Sequence, residues 1–211
     1  MPKIGRWILL GCLASVAALK GIPAFLEWQA KKKEREKLEE YLSKFVKIIQ
    51  TEHKAYWGDT LDYNEAYSFA KGSYIASKEY KVPQELLLSL AIIETGVENM
   101  VTDRNLKKFS WGYYSINETN HRWLEEQIKK HDSTANTVNN LKGHRLLLNP
   151  DYQHKYAAFF LRHHMNQKKI EAPDSAIYVL KYWNKDPRHN TKVKNKFYNI
   201  RDCLNGKEKK K

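Results

Sequence analysis

The chain has 211 residues, 42% of them hydrophobic and 29% charged, with 7 Phe, 6 Trp and 13 Tyr. That apolar content suffices for a packed core and excludes wholesale disorder. The formal net charge of +13 favours anionic partners, without choosing among nucleic acid, anionic lipid and a carboxylate-bearing polymer. Two cysteines, Cys12 and Cys203, exclude a disulfide framework and a four-cysteine zinc site.

Lys3 and Arg6 precede an uncharged apolar run, Ile8 to Leu19, which is the pattern of a secretory signal. A spanning helix needs roughly 20 apolar residues, and Trp7 to Leu26 reaches that length only by including Lys20, Gly21 and Pro23. Lys31, Lys32, Lys33, Arg35 and Lys37 outnumber the cations before the run, the wrong bias for an uncut anchor that exports its C-terminus. Residues 1–27 are therefore expected to be a signal peptide or membrane anchor, and the protein to be exported into the cell envelope.

Residues 28–59 read as a charged spacer helix: Lys31 to Glu40 is solvated, then Leu38, Tyr41, Leu42, Phe45, Ile48 and Ile49 mark an apolar stripe. Trp57-Gly58-Asp59 breaks it. Asp62 with Glu65 forms a capping box, followed by Tyr63, Ala66, Tyr67, Ala70 and Tyr74 on one face as far as Tyr80. Pro83 opens a helix that is apolar almost all round from Leu86 to Ile93, and Thr95-Gly96 closes it. Phe109 to Ile116 is aromatic and turn-containing, without helical period. His121 to Lys130 reads as a short amphipathic helix and Asp132 to Asn140 as a loop. Asn149-Pro150 starts a helix with Tyr152, Tyr156, Phe159, Phe160 and His163 on one side. Pro173-Asp174 starts another, Asn184 to Asn190 is read as loop, and a basic helix holds Phe197, Ile200 and Leu204. The domain of residues 60–205 is thus mainly α, and 206–211 form a disordered basic tail.

Glu94 stands out. It follows Leu90-Ala91-Ile92-Ile93 in the last turn of an apolar helix, where lost solvation and the negative helix end both penalise a carboxylate. Such surroundings suit a general acid. The plainer alternative is a terminal glutamate that swings into solvent or pairs with Arg104 or Lys107.

The stretch Val82-Pro83 to Glu94-Thr95-Gly96 resembles the catalytic-helix motif of the soluble lytic transglycosylases, which share a lysozyme-like fold with the goose-type lysozymes. The family's second motif, Gly-Leu-Met-Gln-Ile, is echoed by Gly112-Tyr113-Tyr114-Ser115-Ile116. Its third, Ala-Tyr-Asn-Ala-Gly-Pro, is echoed by Tyr182-Trp183-Asn184-Lys185-Asp186-Pro187, with Trp where Tyr is usual. Leu148-Asn149-Pro150 resembles the opening of the intervening helix. The resemblance covers Tyr74 to Pro187 and implies a lysozyme-like helical domain that cleaves the bond between N-acetylmuramic acid and N-acetylglucosamine in peptidoglycan. It needs no cofactor and no metal.

In that family one carboxylate suffices. Glu94 would protonate the leaving oxygen, then as carboxylate deprotonate the sugar's own 6-hydroxyl, whose attack leaves a 1,6-anhydro end. Were water the nucleophile instead, Asp103 or Glu98 would be the expected base. Ser115 stands in the family's Gln position and would bond the glutamate or a sugar N-acetyl group. Tyr113 and Tyr114 would stack on sugar faces or serve as core aromatics. Trp183 lacks the hydroxyl expected beside the acid, which Tyr182 could supply, and Asn184 would orient substrate or cap a turn. The partners expected are peptidoglycan glycan strands and no nucleic acid, since no nucleic-acid-binding motif accompanies the cations. Two alternatives stand: an inactive wall-binding module of the same fold, motivated by Ser115 and Trp183, and a basic nucleic-acid-binding helical protein, motivated only by charge. His144, His154, His163 and His164 lack metal-ligand spacing.

Overall fold

The computed structural model of the chain describes residues 4–99, 101–103, 109–117 and 149–207. These are mainly helical, with one small sheet. The chain divides into two compact units, Met1–Ser43 and Lys44–Lys211. The division falls inside the segment read as spacer, because Phe45, Val46 and Ile49 are buried core residues whereas the residues from Glu27 to Lys37 are exposed. Helix α1 (Ile4–Trp57) contributes to both.

In the first unit the helix carries charge pairs one turn apart, Lys31 to Glu27 at 2.7 Å and Lys32 to Glu36 at 4.0 Å, and Lys32 lies over the Trp28 ring. Such pairs sustain a helix with little packing by a few tenths of a kcal/mol each. The side chains of Ile8 to Leu19, on which the targeting expectation rests, lie outside those described, as do residues 208–211 of the expected tail. Among the described residues no helix is long and apolar enough to cross a membrane.

In the second unit the boundaries follow local chemistry. Helix α2 (Tyr63–Tyr80) is capped by Asp62, whose carboxylate accepts from the Asn64 and Glu65 backbone N–H groups. Its buried face is Ala66, Phe69, Ala70, Gly72, Ser73 and Ala76, rotated from the tyrosine stripe expected, and Tyr63 is 53% exposed. Small residues on that face let a neighbouring helix approach closely, while Tyr67 and Tyr74 are part-exposed beside it. Helix α3 (Gln84–Thr95) begins after Pro83 and ends at Gly96, whose φ of 65° only glycine adopts without strain. Leu86, Leu87, Leu88 and Leu90 are fully buried, each worth about 1.5–3 kcal/mol of transfer free energy.

Three short antiparallel strands follow, β1 (Val101–Asp103), β2 (Phe109–Trp111) and β3 (Ile116–Asn117), paired in chain order. Val101 stands opposite Trp111, and Trp111 opposite Ile116. The aromatic stretch is thus a hairpin whose turn is Gly112–Ser115. The expected helix His121 to Lys130 and loop Asp132 to Asn140 lie outside the described residues.

Helix α4 (Pro150–Gln167) is capped by Asn149, which accepts from the Tyr152 N–H. It is buried nearly all round rather than on one side: Gln153, His154, Ala157 and Leu161 are as enclosed as Tyr156 and Phe160. A Cβ on Gly72 of α2 would stand 2.6 Å from the His154 ring, so the glycine is what admits the imidazole. A 3-10 segment (Pro173–Val179) leads into the single-turn α5 (Leu180–Trp183), and α6 (Pro187–Leu204) closes the chain. Helix α6 starts inside the segment read as loop, since Asp186 caps it by accepting from the Arg188 N–H and Pro187 takes the first position. It packs on α3, and α2 packs on α4. Lys196 pairs with Glu52 of α1 at 2.6 Å, and Arg201 grips Asp174 through two contacts of 2.6 and 2.8 Å.

His154 sets a pH limit on this core. Burial lowers its pKa from 6.5 to about 3, so the folded protein keeps it neutral while the unfolded chain protonates it near 6.5. The unfolded state therefore binds the extra proton, and stability falls as pH drops from about 6.5 toward 3, by about 1.4 kcal/mol per pH unit at most. Denaturant titrations between pH 7 and 5 should show this slope, and His154→Gln, which cannot charge, should flatten it. An equal slope in both proteins would assign the acid limb to other groups.

Candidate active site

Glu94 sits in the last turn of α3 with 6% of its surface exposed. It does not swing into solvent; Arg104 and Lys107, the cations expected to pair with it, lie outside the described residues. Its Oε1 accepts from the Trp183 indole N–H at 3.1 Å, across 89 positions of sequence. The same oxygen stands 2.9 Å from His189 Nε2, and the two side chains are only 3% and 13% exposed. The end of α3, the short α5 and the first turn of α6 thus converge on one carboxylate oxygen.

The hairpin turn joins from the other side of the sequence. Thr95, next to Glu94, donates its hydroxyl to the Tyr113 carbonyl at 2.9 Å and accepts from the Glu98 N–H at 3.2 Å. Gln153 of α4 reaches into the turn: its Oε1 accepts from the Tyr113 N–H and its Nε2 donates to Asn99 Oδ1 at 2.8 Å. Gly112 makes this possible, since at its φ of 69° an added Cβ would lie 2.0 Å from Gln153 Oε1. Beneath Gly96, an added Cβ would meet the Tyr56 ring at 2.6 Å, and the Trp57 indole donates to the Thr95 carbonyl at 3.0 Å. Thr95, next to the glutamate, is thus held through its hydroxyl by the buried Tyr113 backbone and through its carbonyl by the Trp57 indole.

No protein-family model, curated protein or solved structure matches the chain.

The remaining candidates fall at graded distances from this centre. Tyr114 is fully buried, its hydroxyl 2.7 Å from His154 Nδ1 and its ring against Phe69 and Trp183, so of the two roles open to it the core role is the one occupied. Burial holds its phenol well above the ordinary range. Tyr113 is 8% exposed, stacked on His154 and edge-on to Phe69. Burial first, then the nearby Glu65 and Glu98, raises its pKa to about 12. Ser115 is partly exposed at the end of the turn, with a φ of 51° that few non-glycine residues adopt. Trp183 packs edge-on against Tyr114, Tyr156 and Phe160, which orients its N–H toward Glu94. Tyr182 is 37% exposed and stacks on His164 at 4.5 Å, with Lys168 and Lys181 over its ring. Asn184 accepts from the Asp186 N–H and, through its carbonyl, from the Asn190 amide, and so shapes the turn into α6.

Of the carboxylates considered as a base for water, Glu98 is half exposed with Oε2 3.9 Å from His53 Nε2, while the Asp103 side chain lies outside those described. His163 and His164 bond Gln167, and among the described residues no three groups are arranged to hold a metal ion.

Sequence reasoning missed His189 and Gln153. His189 fell in the segment read as loop. The signal was present in Asp186-Pro187, a cap followed by a first-turn proline, which starts the helix two residues before the histidine. Gln153 offered no signal, because a polar residue among buried aromatics reads as an exposed face until its partner is known.

Proposed function

We propose that the protein is a lytic transglycosylase that cleaves peptidoglycan glycan strands, with Glu94 as the single acid and base. One observation carries the reading: the residues of three separated sequence motifs meet, Glu94 and Thr95 touching Trp183 and the Tyr113 backbone. A chance likeness at three places along the chain has no reason to bring them together in space. The buried carboxylate, held on one oxygen, is oriented before substrate arrives, which is the preorganisation that acid–base catalysis needs.

In the first half-reaction Glu94 gives its proton to the glycosidic oxygen, and the electrons of the breaking bond leave with that oxygen. In the second, the Glu94 carboxylate takes the proton of the 6-hydroxyl while that oxygen bonds to the anomeric carbon. The proton count at Glu94 is restored and no water is consumed. Tyr113, Ser115, Tyr182 and Asn184 are carried as substrate-contact candidates on the resemblance alone. The reading places the protein outside the cytoplasm, where peptidoglycan lies, with the N-terminal segment as the export signal or anchor.

Mass spectrometry of sugars released from purified sacculi tests the reading. Products should carry 1,6-anhydromuramic ends, and digestion in heavy-oxygen water should leave them unlabelled. Reducing, labelled ends would mean that water attacks and would move the reading to a hydrolytic lysozyme. Release of nothing, with retention on sacculi, would favour the inactive wall-binding module that Ser115 and Trp183 suggest.

A further inference from the structure

We propose that His189 is a positioning residue for Glu94, sharing one proton with it along the Nε2–Oε1 contact. The coupling rests on geometry alone, and its consequence for turnover rests on the function proposed above. At 2.9 Å a bare imidazole nitrogen and a bare carboxylate oxygen would face each other lone pair to lone pair. That arrangement is repulsive, so once the ring is aligned on the carboxylate the contact calls for a hydrogen between them, on Nε2 or on Oε1. The pair is almost dry, with side chains 13% and 3% exposed, so water does not compete for that hydrogen. Both ring nitrogens of His189 are buried without a well-aligned hydrogen bond, so Nε2 approaches Oε1 off the N–H direction. Turned onto Oε1, the ring would find in Glu94 the partner that removes the cost of the buried nitrogen.

The exchange balances simply. With the proton on Glu94 the O–H points to the Nε2 lone pair; when it crosses, the O–H bond breaks, an N–H bond forms, and a carboxylate faces an imidazolium. The second state is the one in which Glu94 has no proton to give. Trp183 fixes the same oxygen without being able to take a proton. Asp186 and Arg188, in the same helix turn as His189, pair with each other at 3.5 Å and are well exposed to solvent. Glu94 is the buried carboxylate that His189 meets.

Two measurements on the full chain test this. In nitrogen-15 spectra of histidine-labelled protein, with the His189 signals assigned by their absence in His189→Gln, the Nε2–H proton should resonate downfield and exchange slowly with water. Glu94→Gln should move it to the position of an ordinary imidazole. An identical signal in both proteins would overturn the proposal, whether or not the protein cleaves glycan. Turnover of His189→Gln gives the second reading: because the imidazole no longer orients the acid, kcat should fall at least about threefold with KM little changed. An unchanged kcat in a folded variant would also overturn it. If neither protein cleaves glycan, the spectra still decide the coupling, and only the proposed function fails.

Discussion

Glu94→Gln is expected to lower turnover on sacculi by at least ~10²-fold and as much as ~10⁴-fold, the range associated with losing a general acid. That corresponds to about 2.7–5.5 kcal/mol of transition-state stabilisation. The substitution keeps size and leaves a carbonyl oxygen that still accepts from the Trp183 indole, so the shell around the residue should stay in place. What it removes is a proton that can be given and taken back. The melting temperature should change little, because the neutral amide still accepts from Trp183 and can still hydrogen-bond His189. Near-normal lysis by a folded Glu94→Gln protein would sink the assignment of Glu94, and with it the reading of the site.

The largest effect on the fold is expected from Gly112→Ala. The added Cβ would stand 2.0 Å from Gln153 Oε1, and the backbone there has a φ of 69°. Strain at that angle and an evicted, buried amide together cost about 2–4 kcal/mol. For a chain of this size that lowers the melting temperature by about 5–15 °C. The cause can be isolated with Gln153→Ala, which removes the obstructing amide. Gly112→Ala should cost at least about 1 kcal/mol less in that background, since two groups in contact do not contribute additively. Equal cost in both backgrounds would show that backbone strain alone, and not the Gln153 contact, makes the glycine necessary. Lysis should fall together with stability in the single variant, because the same turn receives the Thr95 hydroxyl beside Glu94.

The sequence by itself determined what local chemistry controls. Asp62, Pro83, Gly96 and Asn149-Pro150 mark helix ends through capping bonds and backbone angles that involve only near neighbours, and the helices begin and end there. The apolar run before Glu94 likewise marked it as an ill-suited surface residue, while leaving a solvent-facing side chain open; its burial was settled by packing. Even the start of α6 was written locally, in Asp186-Pro187.

Tertiary structure decided the contacts that give Glu94 its chemistry. Trp183 and His189 reach it only because α5 and α6 fold back onto the end of α3, bringing together residues far apart in the chain. The choice between ring-stacking and core roles for Tyr114 depended on His154, which α4 supplies and which Gly72 of α2 admits. Gln153 fills the Gly112 turn from the same helix. Periodicity describes one helix and its own apolar face; it carries no information about which distant side chain completes a hydrogen bond. The carboxylate's place in the last turn of its helix was therefore local information, and its burial and its partners were not.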